Sequence, residues 1–149
     1  MEKYDYQIHL DFPKDRCLAE ILPLYSHIFD VSDDKRFIER LRDKSRLLSV
    51  LAYHKDQLIG FKIGYELDRT TFYSWVGGIE KNFRRKGIAR KLAIIQHEAI
   101  KDLGYTRVRT KSKNEFKPMM IFNLKNGFDI IGTEIGRKGE TKIIFEKML

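Results

Sequence analysis

The chain reads as an α/β protein on a mixed central sheet, with an antiparallel front half and a β-α-β crossover behind it. Three observations carry that reading. Residues 47–79 hold three strand-like segments separated only by short turns, and strands so close in sequence pair as antiparallel neighbours. Residues 86–103 then switch to apolar spacings of three and four between two strand-like segments, the pattern of a crossover helix. Finally, 149 residues with 42% hydrophobic and 34% charged side chains suit a single domain over 1–149 with its own core. No Pro/Gly/Ser linker, low-complexity tract or internal repeat marks a boundary.

Each element follows from local pattern. Tyr6 to Phe12 alternates and stops at Pro13, which predicts a short strand. Over Asp15–Phe29, the residues Leu18, Ile21, Leu22, Tyr25 and Phe29 make one stripe of an amphipathic helix, and Pro23 inside it predicts a kink or a break. Ser32 is the expected N-cap of a second helix with Phe37, Ile38 and Leu41 on its apolar side. Leu47–Tyr53, Leu58–Leu67 and Thr70–Ile79 are the three strands of a meander, joined first by the turn His54–Gln57. The helix over Lys86–Leu103 aligns Ile88, Leu92, Ile95, Ala99 and Leu103, and Gly104 ends it. Tyr105–Thr110 is a strand, and Glu115–Lys125 is a helix entered from Asn114 and stopped by Asn126-Gly127. Phe128–Ile135 and Lys142–Glu146 close the chain as a hairpin over Gly136–Gly139. The element order is β-α-α-β-β-β-α-β-α-β-β.

Composition narrows the function classes. Lysine and arginine total 29 against 21 acidic residues, a formal charge of +8, so an anionic partner is expected: nucleic acid, an acidic membrane or a phosphorylated cofactor. The single cysteine, Cys17, excludes an internal disulfide and any multi-cysteine metal site, and it reads as a small buried hydrophobe. His9, His27, His54 and His97 show no ligand spacing, so no metal is expected and all four read as structural or surface residues. No segment approaches the roughly 18 apolar residues of a membrane span, and a charged N-terminus without an apolar run predicts a soluble, cytoplasmic protein with no membrane partner.

The stretch from Ile79 to Lys91 carries the chemistry. It holds six basic residues and one acidic one where a strand passes into a helix. A helix N-terminus offers unpaired N–H groups and partial positive charge, which is an anion site. Gly87 and Ala89 leave room for a phosphate beside the backbone, while Arg84, Arg85, Lys86 and Arg90 add charge around it. The plainer alternative is a solvated basic turn. Two phosphate loops are excluded: neither the P-loop G-x-x-x-x-G-K-S/T nor the dinucleotide G-x-G-x-x-G occurs here.

These residues resemble the GNAT superfamily of N-acetyltransferases, whose acetyl-CoA motif is Q/R-x-x-G-x-G/A between the fourth strand and the helix after it. Arg84-Arg85-Lys86-Gly87-Ile88-Ala89 matches that motif. Lys125-Asn126-Gly127-Phe128 matches the Gly-Phe turn after the family's next helix, and the element order covers nearly the whole chain. The resemblance implies a GNAT-like acyltransferase fold and direct transfer of acetyl from acetyl-CoA, the cosubstrate, to an amine. It implies that amides from Arg85 to Arg90, through Lys86, Gly87, Ile88 and Ala89, hold the CoA pyrophosphate behind Arg84. Ile79 would lie where the fourth strand splays from the fifth, its amide meeting the pantetheine arm and polarising the acetyl carbonyl. Asn114 and Asn123 would face the pantetheine or the thiol. CoA carries roughly four negative charges by its phosphate count, which accounts for the basic loop without nucleic acid.

Catalytic residues are less legible. The family's tyrosine acid, four residues before the Gly-Phe turn, is replaced by Asn123, an amide that hydrogen-bonds sulfur without protonating it. For the base, Tyr73 on the fourth strand serves better as a wall or a relay to water, its ordinary pKa being near 10. Glu66, Asp68 and Glu80 are the neighbouring carboxylates. Trp75, Phe72 and Tyr73 are expected to pack the sheet. Two further classes stand beside the acetyltransferase: a CoA-binding module without turnover, and a basic nucleic-acid-binding protein. The second is disfavoured because Tyr105–Thr110 alternates like a strand, where a helix-turn-helix needs a helix. Acceptor identity, acyl length and any homo-oligomer are not encoded in a readable way.

Overall fold

The computed structural model describes residues 2–149. Seven strands are present: β1 Asp5–Leu10, β2 Leu48–His54, β3 Gln57–Glu66, β4 Thr71–Ile79, β5 Arg107–Lys113, β6 Asp129–Ile135 and β7 Thr141–Met148. The helices are α1 Asp15–Phe29, α2 Lys35–Asp43, α3 Ile88–Asp102 and α4 Lys117–Lys125, with one 3-10 turn at Lys81–Phe83. All strands join one sheet in the order β1-β2-β3-β4-β5-β7-β6. β1 to β4 are antiparallel, β4 and β5 are parallel, and β7 returns antiparallel between β5 and β6. This is the mixed α/β class with an antiparallel front half and a β4-α3-β5 crossover.

Two cores cover the sheet, one on each face. On the α1/α2 face Ile21, Leu24, Phe37 and Leu41 pack on Leu51, Phe61 and Ile63. On the α3 face Ile88, Leu92 and Ile100 pack on Val50, Ile59, Phe72, Val108 and Phe145. Alternation along β2 and β3 feeds both layers, so these strands are apolar on both sides, as sheets covered twice must be.

Several boundaries differ from the pattern reading for physical reasons. α1 runs unbroken through Pro23, because Ile21 and Leu24 are buried on either side of it and hold the turn in place. Ser32 does not cap α2; Asp34 occupies the cap position, and Asp33 accepts a hydrogen bond from the Lys35 amide at 2.9 Å. β4 starts at Thr71, since Asp68 Oδ1 accepts from the amides of Thr70 and Thr71 and closes a side-chain turn. α3 starts at Ile88, two residues late, because Gly87 sits at φ +80°, which no helix allows. Its buried face is Ile88, Leu92, Ala93, Gln96 and Ile100, and Leu103 is exposed. The helix is thus rotated relative to the expected stripe. β5 begins at Arg107 and extends to Lys113, leaving Tyr105 as a buried anchor whose hydroxyl donates to Glu66 at 2.9 Å.

One close approach is set by the sheet itself. A Cβ on Gly64 would lie 2.4 Å from the Tyr73 carbonyl oxygen and 2.3 Å from the Phe72 ring. The carbonyl belongs to the paired strand and cannot move aside. Gly64→Ala is therefore expected to lower stability by about 2–3 kcal/mol, read as a lower urea midpoint at unchanged m-value.

Candidate active site

The cleft originates in a defect of strand pairing. β4 and β5 pair only at Thr71–Tyr73 with Arg107–Arg109. On its other side β4 pairs Val76 with Ile63 and Ser74 with Gly64, which leaves Trp75 as an extra, bulged residue. A bulge bends its strand and increases local twist, and here it turns the end of β4 away from β5. Thr110 Oγ1 donates to the Ser74 carbonyl at 2.8 Å, the last tie between the strands. Beyond it a cavity of about 430 Å³ opens, with Trp75–Ile79 on one wall and Thr110–Ser112 on the other. The strands thus part several residues before Ile79, earlier than the motif spacing implied.

At the mouth of that cavity lies the basic loop. Arg85 and Gly87 both have positive φ, 61° and 80°, with Lys86 between them. Alternation of this kind turns successive N–H groups toward one side and makes an anion cradle. The first helical bond of α3 runs from the Lys91 amide to Gly87 O at 3.1 Å, so the amides of its first turn have no partner in the helix. Nothing lies within 4 Å of where a Gly87 Cβ would stand. Arg84 Nε donates to the Ile79 carbonyl at 3.1 Å and ties the loop to the end of β4. The Ile88 side chain is buried in the core, so only its backbone faces the loop. Lys86 points away, its Nζ 3.2 Å from the Glu2 carboxylate.

Inside, the cavity is apolar and cationic. Lys62, Arg84 and Lys111 line it, and no carboxylate does. Lys111 is neutralised by Glu134 at 2.9 Å. Lys62 enters no ion pair among the described residues, and burial pushes its pKa down to about 8. Beside it on α3 is His97, whose buried Nε2 has no hydrogen-bond partner. Burial, then the charge of Lys62, then that of Lys147, push its pKa down to about 3. Asn123 on α4 is buried and donates from Nδ2 to Ser112 Oγ at 3.0 Å, which fixes its amide against β5.

Among the residues singled out from sequence, Ile79, Arg84, Ala89 and Asn123 line the cavity, with Arg85, Lys86, Gly87, Ile88 and Arg90 in the loop and first turn at its mouth. Asn114 is exposed and accepts a hydrogen bond from Lys117 Nζ, outside the cavity. Tyr73 lies in the α1/α2-face core, its ring 5.3 Å from that of Tyr65, and burial pushes its hydroxyl up to about 12. It does not line the cavity. The three neighbouring carboxylates are spoken for: Glu66 accepts from Tyr105, Asp68 holds its turn and Glu80 caps the 3-10 turn. Trp75 does both jobs, packing on Phe37 at 5.3 Å beneath the Arg40 guanidinium while lining the cleft. Lys62 and His97 escaped the sequence reading. The signal for Lys62 was present, since it is the one charge inside Leu-Ile-Gly-Phe-Lys-Ile-Gly-Tyr. Among the described residues no group of His, Cys, Asp and Glu could hold a metal, and no helix is long and apolar enough to cross a membrane.

This architecture is that of known acetyltransferases. A GNAT family acetyltransferase from Elizabethkingia anophelis, solved with acetyl-CoA bound, superposes with a TM-score of 0.72 at 18% identity, covering 97% of this chain and 98% of that one. The IAA acetyltransferase from Bacillus cereus matches at 0.75 and 16%, covering 97% and 100%. The ribosomal-protein-S18-alanine N-acetyltransferase from Escherichia coli matches at 0.74 and 14%, covering 97% and 94%. At such identities the likeness carries the fold alone. A search of curated protein sequences finds no match. The model of the acetyltransferase (GNAT) family matches residues 15–128, more than half of the chain. The chain belongs to the GNAT family of acetyltransferases.

Proposed function

We propose that the protein moves the acetyl group of acetyl-CoA to an amine by direct transfer. The observation that carries this is the junction of two features: a cleft between β4 and β5, and an unpaired helix N-terminus at its mouth. The residues fit the cosubstrate. Amides from Arg85 to Arg90 cradle the pyrophosphate, and Arg84 braces that loop. The parted backbone around Ile79 receives the pantetheine arm, and Asn123 stands by the thiol end. Acetyl-CoA supplies an activated thioester, so the protein's work is to orient it, exclude water and manage protons.

With no carboxylate in the lining, the amine loses its proton to water, and Tyr73, buried in the α1/α2-face core, takes no direct part. Asn114, at the exposed end of β5, serves the outer part of the donor arm. The acceptor enters from the α1 side, where Ile28 and Phe29 line the cavity opposite the donor half. That similar structures hold acetyl-CoA or CoA supports the donor, and the likeness to N-acetyltransferases from Escherichia coli and Thermoplasma acidophilum supports nitrogen as the acceptor atom.

Isothermal titration of acetyl-CoA at two salt concentrations tests the reading. Micromolar binding that weakens with salt is expected, because exposed phosphate–arginine contacts are screened. Absence of binding at either salt would sink it. Binding without thiol release across a panel of amines would leave a CoA module without turnover.

A further inference from the structure

We propose that Lys62 of β3 protonates the departing sulfur of CoA, the role that Asn123 cannot fill. The proposal rests on the acetyl-transfer reading and deepens it. Lys62 is in register with Gly77 of β4, and a Cβ on Gly77 would sit 3.5 Å from Lys62 Cγ. Because residue 77 has no side chain, the lysine stem runs past bare backbone where β4 and β5 part. Leu92, Ala93 and His97 of α3 close the cavity on that same side, so Lys62 belongs to the half served by the α3 N-terminus. It does not belong to the half lined by α1.

An unpaired cation in an apolar wall is costly to keep. The cost is offset when an anion forms next to it, and the sulfur becomes that anion as the thioester breaks. In the step, the acceptor nitrogen bonds to the acetyl carbon and the C–S bond breaks, its electron pair passing to sulfur. Lys62 gives one Nζ proton to that sulfur and is left as a neutral amine. The proton shed by the acceptor nitrogen returns to Nζ through water, so charge and atoms balance. With its pKa held near 8 by burial, Lys62 is matched to an ordinary thiol near 8.5, the condition for efficient proton transfer.

The groups facing Lys62 do not compete for the role. His97 on α3 stays neutral, Lys111 on β5 is paired with Glu134, and Lys147 on β7 acts on His97. Arg84 is bound to the Ile79 carbonyl, while α1 and α4 bring only Ile28, Phe29, Met119, Phe122, Asn123 and Asn126.

The test needs no acceptor. CoA is bound to the full-length protein and its thiol is titrated by ultraviolet thiolate absorbance, in the wild type, Lys62→Met and Lys62→Arg. An adjacent ammonium lowers a neighbour's pKa by about 1–3 units, so the wild-type complex is expected to show the thiolate at lower pH than Lys62→Met. Lys62→Arg keeps the charge and with it the shift. With any panel amine that is turned over, Lys62→Met should lower kcat by roughly 10²–10⁴-fold while the Kd of acetyl-CoA holds, and the wild-type alkaline limb near pH 8 should vanish. Identical thiol titrations in wild type and Lys62→Met would overturn the role of Lys62 and leave the donor site standing. Failure of the wild type to bind CoA would overturn the donor site itself. Should Lys62→Met fail to fold, a wild-type complex whose thiol titrates as free CoA does would overturn the proposal without it.

Discussion

Gly87→Trp is expected to remove acetyl-CoA binding while the protein stays folded. The space beside Gly87 is open and its φ is +80°, so a side chain there meets solvent and strain, with a stability loss of about 1–2 kcal/mol. The same side chain stands over the unpaired amides of the α3 first turn. Hydrogen bonds from such amides to a charged phosphate are worth about 1.5–3 kcal/mol each, and losing two weakens binding by roughly 10²–10⁴-fold. Calorimetry on the variant, with circular dichroism as the fold control, reads both effects. An unchanged Kd would remove the loop from the donor site.

The second large effect is acid sensitivity centred on His97. Its pKa is held at about 3, with burial as the main cause, against about 6.5 in an unfolded chain. Between those two pH values the unfolded state binds a proton that the folded state refuses. Stability therefore falls as pH drops through that window, and this contribution levels off above 6.5 and below about 3. At 1.36 kcal/mol per pH unit, the loss is on the order of 5 kcal/mol, a large share of a typical domain's margin. Urea unfolding at a series of pH values should show the slope in wild type and a flatter profile in His97→Gln. Equal slopes would mean that another group governs acid unfolding. Replacing Lys62 with Met should also raise the His97 pKa, because the nearby charge is one of its causes; nuclear magnetic resonance of the imidazole reads this directly.

These two residues show how differently the site announced itself in sequence. Gly87 was legible because a helix start, a small residue and flanking arginines are local features, fixed by backbone stereochemistry within a few residues. The same holds for the strands of the meander and for the Asn126-Gly127 stop of α4. His97 was not legible. It follows Ala93 by four on α3, yet the expected apolar stripe ran through Ile95 and Ala99, while the face that is buried passes through Ala93, Gln96 and Ile100. Which side of a mixed helix is buried depends on where the sheet lies, and the single stripe read from periodicity was not the one that the sheet covers.

Local chemistry along the chain thus determined the order and type of the elements, the turn at Gly87 and the run of basic residues around it. The parting of β4 from β5 was decided only by tertiary structure. It needs Trp75 as an unpaired residue opposite β3, and pairing registers are set by contacts between distant segments. The position of β7 inside the final hairpin was settled in the same way, by which edge of β5 remained open. The electrostatics of the cavity were likewise a property of assembly. Lys62 is an ordinary lysine until Gly77, His97 and the apolar walls gather round it. Burial is a matter of three-dimensional neighbours, and no local pattern records it.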